Sequence, residues 1–378
     1  MKIISIEAKN SHSNLKINRI YFDSFTLLVG ASGVGKTQIL SAVNKIKRIA
    51  HGDSFSGFHW SVAFEIDSNE YLWEGQFDSL DNFDDFSGFL FYTDEEDKST
   101  PNIIYERLTV NGVQIASRDS ENIIFKDNVT VKLSPYESIV SLLKAEPEIA
   151  FVNESFNRIA NIDLNEGSYS IFGRDKDLDL NQELSFDQVK ELKYSLRAKL
   201  FLCQEKFPEQ FSAIIESYKD IFPYIEGVKV ERYEDKTAPR AFSSTYVLKV
   251  KERGIDSWIS HVSMSSGMLK TLLQLSYIHL SPKGTVFLID EFENGFGVNC
   301  LNDITDILLS TGNGVQFIIT SHHPYIINNI PVERWKIISR QAGVISSFSA
   351  DDFKLNDSNH EAFTKLINLD VYTDGADR

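Results

Sequence analysis

The hydrophobic pattern of the chain begins as alternation. Ile4 and Ile6 are separated by a polar residue, and Leu15-Lys16-Ile17-Asn18-Arg19-Ile20 alternates again, the period of a half-buried strand. Phe25-Thr26-Leu27-Leu28-Val29 abandons the alternation and reads as a short strand buried on both faces. Over 38–46 the spacing turns helical, with Ile39, Leu40, Val43 and Ile46 on one face. From residue 58 the period of two returns. Phe58–Ile66 and 71–77 flank the polar turn Asp67-Ser68-Asn69-Glu70, and Asn111-Gly112 joins Ile103–Val110 to 113–116 as a type I′ hairpin. Residues 78–99 are acidic and polar around Phe89-Leu90-Phe91 and read as a long surface loop.

Beyond 134 the pattern is helical. Ile139, Leu142 and Leu143 share a face, Pro147 opens a new segment through 159, and 185–219 reads as two helices broken at Pro208. Strands return at 227–233 and 245–251. Two further apolar runs, Val286-Phe287-Leu288-Ile289 and Val315-Gln316-Phe317-Ile318-Ile319, read as buried strands. The pattern predicts an α/β protein in three parts: a core from 1–57 and 236–378, an antiparallel β lobe at 58–133, and a helical insertion at 134–235.

Between the strand at 25–29 and the helix that follows lies Gly30-Ala31-Ser32-Gly33-Val34-Gly35-Lys36-Thr37, which fits the P-loop pattern G-x-x-x-x-G-K-[ST] at every fixed position. The glycines allow a tight turn whose N–H groups point at phosphate oxygens, and the helix start adds its dipole. Candidate nucleotide-binding residues are therefore Gly30, Ser32, Gly33, Val34, Gly35, Lys36, Thr37 and Gln38. In this motif the lysine reaches the β- and γ-phosphates and the threonine hydroxyl holds Mg²⁺.

The second half supplies matching chemistry. The strand at 286–289 runs into Asp290-Glu291, the form of a Walker B motif: Asp290 is the candidate metal ligand and Glu291 the candidate activator of water. Upstream, Ser263-Met264-Ser265-Ser266-Gly267-Met268 opens a helix. Taken alone it reads as a serine N-cap, and beside the other motifs as an anion site made by Ser265, Ser266 and Gly267. Downstream, the strand ending at Thr320 leads into Ser321-His322-His323-Pro324, where either histidine could reach a γ-phosphate.

Composition narrows the context. Net charge is −16 over 378 residues, against a general duplex-DNA coat, although Lys45, Lys47 and Arg48, and Lys190, Lys193, Arg197 and Lys199, form local basic clusters. Both clusters fit solvated helix faces better than binding patches. No apolar run spans a membrane and no signal peptide leads the chain, so the cytoplasm is the expected compartment. Cys203 and Cys300 stand alone, without metal or redox spacing.

The order of P-loop, β lobe, helices, serine-rich signature, Walker B, strand and histidine resembles the ABC-type ATPase heads of the RecF and structural-maintenance-of-chromosomes branch. More closely it is similar to the short AAA-family ATPases of bacterial phage-defence and abortive-infection systems, of OLD, Septu and retron-associated type. By that resemblance Met264-Ser265-Ser266-Gly267-Met268 stands for the family's L-S-G-G-Q signature, Glu293-Asn294-Gly295 for the D-loop, and Ser321-His322-His323-Pro324 for the switch segment, with His322 as switch. The signature departs from L-S-G-G-Q, Gly297-Val298 replaces a common His-Pro, and no glutamine between Thr37 and Ser265 marks the Q-loop.

The resemblance implies a P-loop ABC-type head in which two copies sandwich ATP and Mg²⁺. Ser265 of one copy would then meet the γ-phosphate held by Lys36 of the other. It also implies a partner effector such as a nuclease. A nuclease half like that of OLD proteins is not expected, since the chain runs only about 50 residues past the switch histidine. A RecF-like repair ATPase that binds DNA itself is the alternative. A transporter subunit is disfavoured by the absent L-S-G-G-Q and the β lobe.

Overall fold

The computed structural model describes residues 1–80, 100–119, 121–162, 178, 180, 181, 183–234, 244–310, 314–355, 359–369 and 372. Nearly all of the loop expected at 78–99 lies outside them. The chain forms two compact units. One comprises Met1–Asn161, Gly284–Phe292 and Gly314–Arg378; the other comprises Ile162–Lys283 and Glu293–Asn313.

The first half of the chain builds the larger unit. It runs β1 (Lys2–Asn10), β2 (Leu15–Tyr21), β3 (Phe25–Val29), α1 (Lys36–Ala50), β4 (Phe58–Ile66), β5 (Asn69–Phe77), β6 (Ile103–Val110), β7 (Val113–Arg118), β8 (Ile123–Phe125) and β9 (Asn128–Val129). Then come α2 (Ile139–Leu142), α3 (Pro147–Phe156) and β10 (Ile159–Asn161). The smaller unit follows with α4 (Phe186–Glu191), α5 (Leu196–Lys206), α6 (Pro208–Ile221), β11 (Ile225–Glu234), β12 (Ser244–Glu252), β13 (Ile259–Ser260) and α7 (Ser266–Leu280). The chain returns to the larger unit for β14 (Val286–Ile289) and gives α8 (Val298–Ser310) to the smaller. It ends in the larger with β15 (Gln316–Thr320), α9 (Pro324–Asn329), β16 (Trp335–Gln341), β17 (Val344–Ser349) and α10 (Asn359–Leu366).

Among the described residues of the larger unit, fourteen strands form one sheet in the order β10-β14-β15-β3-β16-β17-β2-β1-β4-β5-β6-β7-β8-β9. Strands β10, β14, β15, β3 and β16 are mutually parallel. All residues of β3, β14 and β15 are buried, which is why these runs lack alternation in the sequence. From β2 through β9 the pairing is antiparallel. The strands of 58–133 are thus a continuation of the P-loop sheet, because β4 pairs with β1 from Lys2↔Glu65 to Asn10↔Phe58. Asp67 and Ser68 at one hairpin, and Asn111 and Gly112 at the other, have positive φ, as type I′ turns require.

An aromatic cluster of Trp60, Trp73, Phe77, Phe64 and Phe156 fills the β part of the core, with Trp73 edge-on to Trp60 at 5.5 Å and to Phe156 at 5.2 Å. Through Phe156 it ties α3 to the sheet. Fully buried Glu106 accepts from Trp73 Nε1 (2.8 Å) and from the Ile139 N–H (2.9 Å), and Ser138 beside it donates to the Ile49 carbonyl at the end of α1. Burial pushes the Glu106 carboxyl up to about 7, against the pull of the Ile139 N–H, Arg118 and the Trp73 N–H. The folded value thus lies above the unfolded one, so this group's contribution to stability is fully present below about 4.5 and is lost as pH rises toward 7. We expect urea midpoints of Glu106→Gln to lack this part of the pH dependence. A wild-type and a variant curve that stay parallel from pH 4.5 to 7 would contradict the assignment.

In the smaller unit β11, β12 and β13 form an antiparallel sheet whose buried residues Val230, Leu248 and Val250 face α5 and α6. Residues 185–219 hold three helices where the sequence predicts two. Ser185 caps α4 in a capping box with Gln188, and Ser195 caps α5 by accepting from the Ala198 N–H. The second serine cap, not only Pro208, interrupts the helix.

Candidate nucleotide site

The P-loop is set by close packing. A Cβ on Gly30 would stand 2.5 Å from the Ile338 carbonyl oxygen of β16, and one on Gly35 would run into the Ile345 side chain of β17. Gly35 also takes φ +102° as N-cap of α1, where no side chain caps the helix. A helix start without a side-chain cap is a place where an anion can bind. Val34 is buried under the loop, whereas Ser32, Gly33, Thr37 and Gln38 are exposed. Lys36 is 95% buried and donates to the Gly30 (2.7 Å) and Ala31 (2.8 Å) carbonyls. A phosphate can replace these carbonyls as its acceptor.

The parallel strands deliver the remaining groups to the same sheet edge. Asp290 and Glu291 follow β14, and both are exposed. Glu291 adopts φ +47°, a left-handed conformation that few non-glycine residues take. Thr320, the last residue of β15, donates through Oγ1 to Asp290 Oδ1 (2.6 Å) and accepts from the Glu291 N–H (2.8 Å). No sequence signal singled out Thr320; its role depends on the β14–β15 register, in which Ile289 faces Ile319. Two residues on, His322 is exposed, with Nδ1 3.5 Å from Lys36 Nζ. His323 is the N-cap residue of α9, with its N–H on Ser321 Oγ and a buried Nδ1. Of the two histidines, His322 is the one beside the P-loop lysine.

The larger unit therefore brings together Lys36, Thr37, Asp290, Glu291 and His322. Ser265, Ser266 and Gly267 belong to the smaller unit. Ser265 and Ser266 are exposed at the start of α7, and Ser265 caps that helix by accepting from the Met268 N–H at 3.3 Å. Lys270, buried in the same helix, donates to the Asn294 carbonyl, and its chain occupies the space beside Gly295.

The donor set suits Mg²⁺. One hydroxyl and one carboxylate leave positions for water and phosphate, as Mg²⁺ prefers. Among the described residues no group of three or more His, Cys, Asp or Glu is arranged to hold a metal by itself.

Several members of the basic clusters are engaged in internal contacts. Lys47 donates to the Ile159 carbonyl and Arg48 pairs with Asp53. Lys190 lies over the Phe186 ring, and Lys199 donates to the Lys190 carbonyl. Among the described residues no helix is long and apolar enough to cross a membrane.

No curated protein matches the chain. Among solved structures, an Smc head bound to the C-winged helix domain of ScpA is 15% identical, over 93% of this chain and 99% of that one, with a TM-score of 0.49. An Smc head with an extended coiled coil, bound to the C-terminal domain of ScpA from Pyrococcus furiosus, is 15% identical over 93% and 97%, at 0.41. The SMC head domain from Thermotoga maritima is 11% identical over 92% and 99%, at 0.44. The family described as "AAA domain, putative AbiEii toxin, Type IV TA system" matches residues 25–328, from the first residue of the P-loop strand to just past the histidines. With the P-loop, the paired acids and the histidine on one sheet edge, the chain belongs to this AAA-domain family.

Proposed function

We propose that the protein binds and slowly hydrolyses ATP with Mg²⁺, and uses the cycle as a conformational switch. The observation that carries this reading is the convergence of Lys36, Asp290, Glu291 and His322 at one edge of the parallel sheet. Lys36 exchanges its loop carbonyls for phosphate oxygens. Thr37 and Asp290 would hold Mg²⁺, which neutralises charge on the β- and γ-phosphates. Glu291 accepts a proton from the attacking water, and His322 senses the γ-phosphate beside Lys36.

The site is completed in trans, with Ser265 of a second copy meeting the γ-phosphate. The exposed Ser265 and Ser266 at a helix start support this reading. The switch controls a partner effector, such as a nuclease, in a bacterial anti-phage defence system. The family description, which joins an AAA domain to a toxin of a type IV toxin–antitoxin system, supports that context. Phage challenge of cells expressing wild type or Lys36→Ala tests it: equal protection by both would refute an ATP-driven role.

A mixing experiment tests the shared site. Ser265→Arg places a bulky charge where the partner's phosphate docks, and Lys36→Ala removes the phosphate ligand. In a mixed pair one site carries both lesions and the other neither. ATPase activity above that of either variant alone is the expected result. Absence of recovery, with mixed assembly demonstrated, would favour a self-contained site.

A further inference from the structure

We infer that Thr320 is a positioning residue for hydrolysis, one buried hydroxyl that fixes both acids of the site at once. The inference rests on the ATPase reading and assigns a role to a residue outside its motifs. Thr320 is 99% buried, and its hydroxyl has one proton. That proton is donated to Asp290 Oδ1 at 2.6 Å, so the lone pair is what accepts the Glu291 N–H at 2.8 Å. The main chain joins in: the Phe292 N–H donates to the Thr320 carbonyl at 2.9 Å. Asp290, Glu291 and Phe292 are all held by this one residue. They are also the last residues of the larger unit before the chain enters the smaller one at Glu293.

Two consequences follow from the geometry. First, Oδ1 of Asp290 is committed to Thr320, so Oδ2 is the oxygen left for Mg²⁺, and the carboxylate cannot rotate without breaking a charge-assisted bond. Second, the left-handed φ of Glu291 is held by a hydrogen bond from its own N–H, so losing the hydroxyl frees that residue to relax to ordinary backbone and carry its carboxylate away. Thr320 also pairs with Leu28, two residues before Gly30, so the same residue refers both acids to the P-loop strand. The acid side of the site is therefore held by the chain's own hydrogen bonds.

Thr320→Val keeps the branched shape and removes the hydroxyl; Thr320→Ser keeps the hydroxyl. In Thr320→Val we expect kcat to fall about tenfold to a hundredfold, with KM for ATP little changed. We also expect weaker Mn²⁺ binding to protein loaded with a non-hydrolysable ATP analogue, measured by electron paramagnetic resonance. Thr320→Ser should recover both. Should the valine variant melt early, Thr320→Ala gives the same comparison without an added methyl beside the carboxylate. Wild-type kcat and Mn²⁺ affinity in the folded valine or alanine variant would overturn the inference, and so would a serine variant as impaired as valine. If wild type itself does not hydrolyse ATP, the ATPase reading fails, while the Mn²⁺ measurement still decides whether Thr320 orients Asp290.

Discussion

Lys36→Ala is expected to bind ATP at least about tenfold more weakly than wild type, each charge-assisted hydrogen bond being worth roughly 1.5–3 kcal/mol, and to turn over at background rate. The lysine contributes more than charge. Its ammonium is buried and donates to the Gly30 and Ala31 carbonyls, so it also ties the loop together. Alanine removes the phosphate ligand and the staple together. Binding of a fluorescent ATP analogue, with steady-state turnover, separates the two steps. Turnover equal to wild type would end the P-loop assignment.

Glu291→Gln should behave differently. Lys36, Thr37 and Asp290 all remain, so ATP affinity should stay near that of wild type. The backbone bond from Glu291 to Thr320 is independent of the side chain, and the side chain is exposed, so stability should hardly move. Hydrolysis should fall by about 10²–10⁴, because glutamine cannot take the proton of the attacking water. ATP that is bound and not hydrolysed should trap the associated state, visible as an ATP-dependent shift to larger species by light scattering. A variant that hydrolyses normally would show that another group serves as base. One that hydrolyses poorly yet never associates would count against the shared site.

The parts of this site legible in the sequence are those where local backbone demands dictate residue type. Gly30 and Gly35 are glycines because β16 and β17 press on the loop, and the four buried residues before Asp290 are apolar because β14 lies between two strands. The residue pattern by itself leaves His322 and His323 open and only the family resemblance prefers His322; the structure sets His322 beside Lys36. Thr320 was hidden for the same reason: a threonine ending a strand is unremarkable until the neighbouring strand sets two acids against it. The continuity of the β lobe with the core sheet depends on β1 pairing with both β2 and β4, a tertiary choice that alternation does not encode. The extra helix break at Ser195 is a serine N-cap, a weaker punctuation in the sequence than Pro208.

The P-loop strand has neighbours that arrive late in synthesis. β3 is flanked by β15 and β16, which begin about 290 and 310 residues further along. At typical ribosomal rates the 290 residues take roughly 15–60 s to make. Through that interval Phe25–Val29, an apolar segment with both hydrogen-bonding edges open, waits without its partners. The β2–β1–β4–β5–β6 meander is complete by residue 110 and can fold first, leaving the P-loop strand as a template for aggregation or a chaperone client. Nascent chains stalled before Gln316 should therefore be captured by holdases through this segment, and nucleotide binding should appear abruptly once β15 and β16 have left the ribosome.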